Sequence, residues 1–416
     1  MPAQALAFFS PQLPYLPAFF CLLALGVVGT ARAGGAVGAF EGHGDIGKVA
    51  LAGSAQYFAD SQEYQIQSSG DDMWTDHDDF HFAWKKVKGD FILQALTQFS
   101  SEAGHAKKKM GLMVRASLDS GSAHVNACRH ANGEICLQYR RTTGATTEEF
   151  LLPPGADVLQ LERAGNRYTM SAARFGETFT TQVLDGVVLP DEVYVGIYLC
   201  SHDDAVLEKA VFKNVRVIRP AAPDFKPYRD YIGSDIELLD VSSGVRRSIY
   251  RAEDSLQAPN WTPDGRSLIY NHNGRMFSLD LASRRPAPIN TGAQVHCNND
   301  HTLSFDGKML GISSGSPSIV YTVPIGGGEP TRITPTGPSY LHSWSPDGKF
   351  LLFTGERNKE FDIYRVPSSG GPEERLTTAK GLDDGSEYSP DGKTIYFNSE
   401  RSGRMQIWKM NADGSG

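Results

Sequence analysis

Between residues 36 and 220 apolar and polar positions alternate almost without a break. Glu63-Tyr-Gln-Ile-Gln, Phe80-His-Phe-Ala-Trp-Lys-Lys-Val, Asp90-Phe-Ile-Leu-Gln-Ala-Leu, Gly111-Leu-Met-Val-Arg and Val193-Tyr-Val-Gly-Ile-Tyr-Leu all repeat with a period of two. That period turns one face of a strand towards a core and the other away from it. Clusters of Gly, Asp, Asn and Ser separate the runs, as turns require. About twelve strands are predicted and no amphipathic helix, so two packed sheets of jelly-roll type are expected here.

The pattern changes after residue 232. Trp261-Thr-Pro-Asp-Gly-Arg-Ser-Leu-Ile-Tyr returns as Trp344-Ser-Pro-Asp-Gly-Lys-Phe-Leu-Leu-Phe and as Tyr388-Ser-Pro-Asp-Gly-Lys-Thr-Ile-Tyr-Phe. Leu303-Ser-Phe-Asp-Gly-Lys-Met-Leu-Gly-Ile is a more divergent copy. The four aspartates, Asp264, Asp306, Asp347 and Asp391, are spaced by 42, 41 and 44 residues. Each unit reads as a strand, a tight Pro-Asp-Gly turn and a returning strand. Pro presets φ, Asp bonds its own backbone and Gly accepts positive φ. A third strand follows each time, as in Arg275-Met-Phe-Ser-Leu-Asp or Phe361-Asp-Ile-Tyr-Arg-Val. Glycine turns and a short fourth strand come next. Four strands in a unit of about 40 residues make a β-propeller blade. The repeat aspartates are therefore expected to be structural turn residues.

These units resemble the PD40 (WD40-like) repeat of the TolB-type propeller family over residues 232–416. The resemblance implies a six-bladed ring. This chain supplies about four and a half blades, ending in the turn before a last fourth strand, so a truncated ring is expected. The first segment is similar to the concanavalin A-like domain of the DUF1349 family. The likeness is carried by Asp79-Phe-His-Phe, Lys88-Gly-Asp-Phe, Lys109-Met-Gly-Leu-Met-Val-Arg, Leu161-Glu-Arg-Ala-Gly-Asn and Tyr194-Val-Gly-Ile-Tyr-Leu-Cys-Ser-His202. The expected organisation is all-β: a signal peptide over 1–33, the sandwich over 36–220, a linker over 221–231 and the propeller over 232–416.

Composition and charge add a little. A formal net charge of −8 gives no electrostatic footprint for nucleic acid or an anionic membrane. Ala18 to Gly29 is apolar but too short to span a bilayer, and Ala31-Arg32-Ala33 supplies a small-x-small cleavage pattern, so export to the periplasm or beyond is expected. Cys128, Cys136, Cys200 and Cys297 remain after cleavage. Asn132-Gly133 is a hairpin turn signal that sets Cys128 and Cys136 across from each other. A bridge and two free buried thiols both fit that placement. With His130 this hairpin offers three metal-binding side chains, fewer than a closed zinc site uses.

Chemistry is sought first where the innermost strands of a propeller meet its channel. His301 and His342 both stand five residues before a repeat aspartate, and Asn298, Asn299, Asp300, Asp383, Asp384 and Glu387 surround them. Two imidazoles and several carboxylates suit a polar ligand, a protein partner or a divalent metal with His301 and His342 as ligands. Solvation of the strand ends explains the same residues. In the sandwich, Asp72, Trp74, Asp76 and His77 lie in an acidic and aromatic cluster. It suits sugar stacking with carboxylates on hydroxyls, or a solvated loop. No Gly-x-Ser-x-Gly elbow, phosphate-binding glycine loop or His-Glu-x-x-His occurs. The expectation is a non-enzymatic binding or scaffold protein with no obligatory cofactor. Its propeller is a platform for protein partners and its sandwich a carbohydrate or cell-surface module. The competing expectation is a polysaccharide-active lyase or hydrolase.

Overall fold

The computed structural model describes residues 34–227 and 229–416. The expected leader over 1–33 lies outside the described residues. All regular structure in the described residues is β.

Fourteen strands between Gly42 and Ile218 form two antiparallel seven-stranded sheets, where about twelve were expected. The first runs Gly42–Ile46, Phe80–Lys88, Glu192–Cys200, Lys109–Arg115, His124–His130, Ile135–Arg140, Glu148–Leu152. The second runs Thr180–Asp185, Arg167–Ala173, Val158–Ala164, Phe91–Phe99, Glu208–Ile218, Glu63–Ser68, Ser54–Phe58. Leu112, Val114, Val125, Leu137, Val195 and Ile197 of the first pack against Phe91, Leu93, Leu161, Met170 and Phe212 of the second. These are the alternate residues that the period of two picks out, each removing apolar surface from water.

The outer face of the first sheet is also closed, which the alternation does not foretell. Lys109–Arg115 and Ile135–Arg140 are buried along their whole lengths. The segment 69–79 crosses that face, and Met73 packs with Phe80, Phe82, Met113 and Tyr198. Asp78 anchors it. Its carboxylate accepts Arg140 Nη2 at 2.7 Å, Arg140 Nη1 at 3.0 Å and Arg115 Nη2 at 3.3 Å, with all three side chains fully buried. The carbonyl oxygens of Thr75 and His77 accept from Arg140 as well.

From Ser234 the chain forms one two-stranded sheet, three four-stranded sheets and one three-stranded sheet, each an antiparallel meander. Their first strands contact one another and so line the axis of the propeller. The repeat explains itself in the turns. Ser345 Oγ donates to Asp347 Oδ1 at 2.7 Å, and that oxygen accepts Lys349 N at 3.1 Å. Thr262 with Asp264, Ser304 with Asp306 and Ser389 with Asp391 repeat the arrangement. Gly348 takes φ of 72°, where a side chain would strain the turn. Neighbouring blades are stitched by Leu341 N donating to Ser313 Oγ and Trp344 Nε1 donating to Thr302 O.

The first hairpin, Ser234–Leu239 with Arg246–Ala252, also docks on the sandwich. Ser248 exchanges two hydrogen bonds with the Gln62 side-chain amide, at 2.7 and 2.9 Å. A bulge after Lys213 turns Asn214 outwards, where it accepts Arg246 N and donates to Gly244 O.

Candidate functional site

Each innermost strand carries a register break at nearly the same place. The breaks fall between Gln257 and Asn260, Cys297 and His301, Leu341 and Ser343, and Asp384 and Glu387. A bulge inserts an unpaired residue and re-aims the side chains around it. The repeated break thus opens the polar residues of several blades onto one cleft. That cleft has a volume of about 370 Å³ and is lined by Asp300, Tyr340, His342, Thr354, Phe361, Leu382 and Asp384.

Its polar centre is an organised triad. His342 Nε2 lies 3.0 Å from Asp384 Oδ1, and Thr354 Oγ1 donates to the same oxygen at 2.8 Å. The His342 hydrogen bond, followed by its charge and the Thr354 bond, outweighs partial burial and holds the Asp384 carboxyl down at about 2. Asp300 is perturbed the other way, because burial raises its carboxyl. Asn298 and Asn299 donate to its two oxygens at 2.8 and 3.1 Å. The Glu387 carboxyl is pushed up to about 7 by desolvation, against the His342 charge, but Glu387 is not among the residues lining the cleft. The cleft therefore offers fixed acceptors around one imidazole, framed by Tyr340 and Phe361. Such a surface receives cationic and hydroxyl-bearing groups.

His301 does not join His342, although the two hold the same place in the repeat. The residue is 5 % exposed, its Nε2 lies 3.4 Å from Ile269 O, and burial lowers its pKa to about 4. The physical reason is the bulge. In its blade the break precedes His301, leaving Asp300 to face the cleft, whereas in the next blade it falls on His342 itself. Asp383 is likewise committed to structure, buried and accepting Arg401 Nη2 at 3.1 Å. Asn299 is exposed beside Asp300. Tyr340, Thr354, Phe361 and Leu382 were not picked out from the sequence, where they read as ordinary alternation.

In the sandwich cluster, Asp72 Oδ1 accepts Lys109 Nζ at 3.0 Å and lies 3.4 Å from His202 Nδ1. That pairing makes Asp72 part of the seal over the outer face. Trp74 is 37 % exposed, while Asp76 and His77 are exposed and bonded to each other at 2.9 Å. Cys128 and Cys136 lie directly opposite in the sheet as buried free thiols.

An uncharacterized protein of Agrobacterium fabrum is 43 % identical over 158 residues, which are 37 % of this chain and 54 % of that protein. The chain thus spans about half the length of that relative. A TolB candidate of known structure from Agrobacterium tumefaciens is 42 % identical with a TM-score of 0.42, covering 44 % of this chain and 67 % of its own. TolB from Acinetobacter baumannii is 15 % identical with a TM-score of 0.37, covering 75 % and 63 %. Residues 341–416 match the family model of the TolB beta propeller domain, PD40.

Proposed function

We propose that this chain is an exported, non-enzymatic binding protein. Its propeller docks a protein partner in the cleft around His342 and Asp384. The single observation that carries the reading is the His342–Asp384–Thr354 arrangement, held in a cleft that neighbouring blades build together. Preorganised acceptors framed by aromatic rings bind a basic or hydroxyl-bearing side chain with little ordering cost. The similarity of residues 341–416 to the TolB propeller domain supports a scaffold role. The sandwich, in its resemblance to the DUF1349 type, is proposed as a second module whose exposed Trp74, Asp76 and His77 meet carbohydrate or a cell surface. The periplasm is the proposed compartment, and residues 221–231 the proposed linker between the two modules.

The test places a photo-cross-linking residue at Phe361 in the full chain within producing cells. A covalent protein adduct is expected, and it should be lost in the His342→Ala, Asp384→Asn double variant. A second arm incubates the purified chain with plant and bacterial polysaccharides, with and without chelator. Metal-dependent fragments, or an adduct indifferent to the double variant, would overturn the proposal.

A further inference from the structure

We propose that the sandwich holds one thiophilic divalent cation of the zinc class, ligated by the Cys128 and Cys136 thiolates and by His130. Among the described residues this is the one group of three or more such side chains whose ligand atoms all lie within 4.8 Å of one another. All three residues are buried. Soft thiolates with an imidazole select zinc-like ions over magnesium or calcium. Three protein ligands leave a fourth, non-protein position, as in open zinc sites.

The frame around the three residues is rigid. Cys128 and Cys136 are Cα partners on adjacent strands, and Lys109 on the other side is the Cα partner of His130. The hairpin tip is tied down where Ala131 N donates to Lys108 O and Asn132 N to Ala106 O. His130 Nδ1 lies 2.8 Å from Lys107 O. A carbonyl oxygen only accepts, so Nδ1 carries the proton and Nε2 keeps its lone pair for a metal. Backbone carbonyls orient metal-binding histidines in this way.

The surroundings fit the charge and the open position. The buried Lys109 ammonium, bonded to Asp72, stands on the same face of the sheet as Cys128 and Cys136. Two residues further along, on the same face, Asn126 faces Gln138 across the strands. Asn126 Nδ2 and Gln138 Oε1 are buried without a partner. A water on the fourth position would find there both a donor and an acceptor, which a buried polar pair otherwise lacks at some cost.

The alternative use of the two sulfurs is a disulfide, and the experiment separates the two. The full chain is purified, reduced and titrated with Zn²⁺ and, as an optical reporter, with Co²⁺. One ion per chain is expected, with a thiolate-to-cobalt charge-transfer band and protection of two thiols from alkylation. Cys128→Ser and Cys136→Ser should each abolish the band, and His130→Gln should weaken binding by at least about tenfold. Cys297→Ser should change nothing. His130→Gln keeps both sulfurs and carries the test if a cysteine variant does not fold. Absence of binding to the reduced chain, or binding retained by the cysteine variants, would overturn the site. So would a closed Cys128–Cys136 bridge in chain isolated from its native compartment.

Discussion

The outer face of the sandwich and the innermost strands of the propeller are built from the same residue types and end in opposite states. On the sandwich, Asp78, Arg115, Arg140 and His124 are sealed by the chain's own segment 69–79. On the propeller, Asp300, His342 and Asp384 open onto a cleft. An Asp and His cluster in a sequence therefore does not by itself distinguish a site from a seal. What decides is whether another part of the chain supplies the counter-charge.

The largest effect is expected from unsealing the sandwich. Asp78→Ala leaves two buried guanidinium groups without their carboxylate and should cost about 3–5 kcal/mol. Urea unfolding of the full chain, followed by tryptophan fluorescence, measures it. A loss below 1 kcal/mol would mean that the segment is held by its apolar contacts alone.

Acid titration probes the one propeller histidine that behaves like the sandwich. His301 is neutral in the fold down to about 4, whereas in the unfolded chain it protonates near 6.5. The unfolded state thus binds the extra proton between these values, and stability falls as pH drops from 6.5 towards 4. The full effect is on the order of 3 kcal/mol. His301→Gln should remove its share of that slope and leave the equal share of the buried His124 in place.

The cleft should respond in binding and hardly in stability. His342→Ala or Asp384→Asn is expected to remove partner retention while costing less than about 1 kcal/mol, since both groups keep contact with solvent. Chemical denaturation beside the cross-linking assay tests this split. Loss of both together would turn the cleft into a second seal. The smallest effect is expected at the repeat turns. Asp391→Asn keeps an oxygen able to accept from Ser389 and Lys393 N, so the melting temperature should barely move.

The difference also shows how far the chain can be read before its structure is known. The blades are legible because Asp264, Asp306, Asp347 and Asp391 repeat a turn whose chemistry is local. The core face of the sandwich is legible because period-two alternation is local too. Orientation on the innermost strands is not, because one bulge exchanges the residue facing the cleft and so separates His301 from His342. Nor does alternation reveal that 69–79 covers the outer face, since that depends on pairing Asp78 with an arginine 62 residues away. The same distance effect hid the orientation of His130, which is set by the Lys107 carbonyl 23 residues upstream.

The docking of the first hairpin on the sandwich has a mechanical consequence. Gln62 and Asn214 grip strand Arg246–Ala252 directly, in parallel with the covalent path through residues 219–233. Tension applied by a partner held in the cleft would reach the sandwich through these side-chain bonds as well as through the chain itself. The grip of Gln62 and Asn214 thus contributes to the stiffness with which one half of the molecule follows the other.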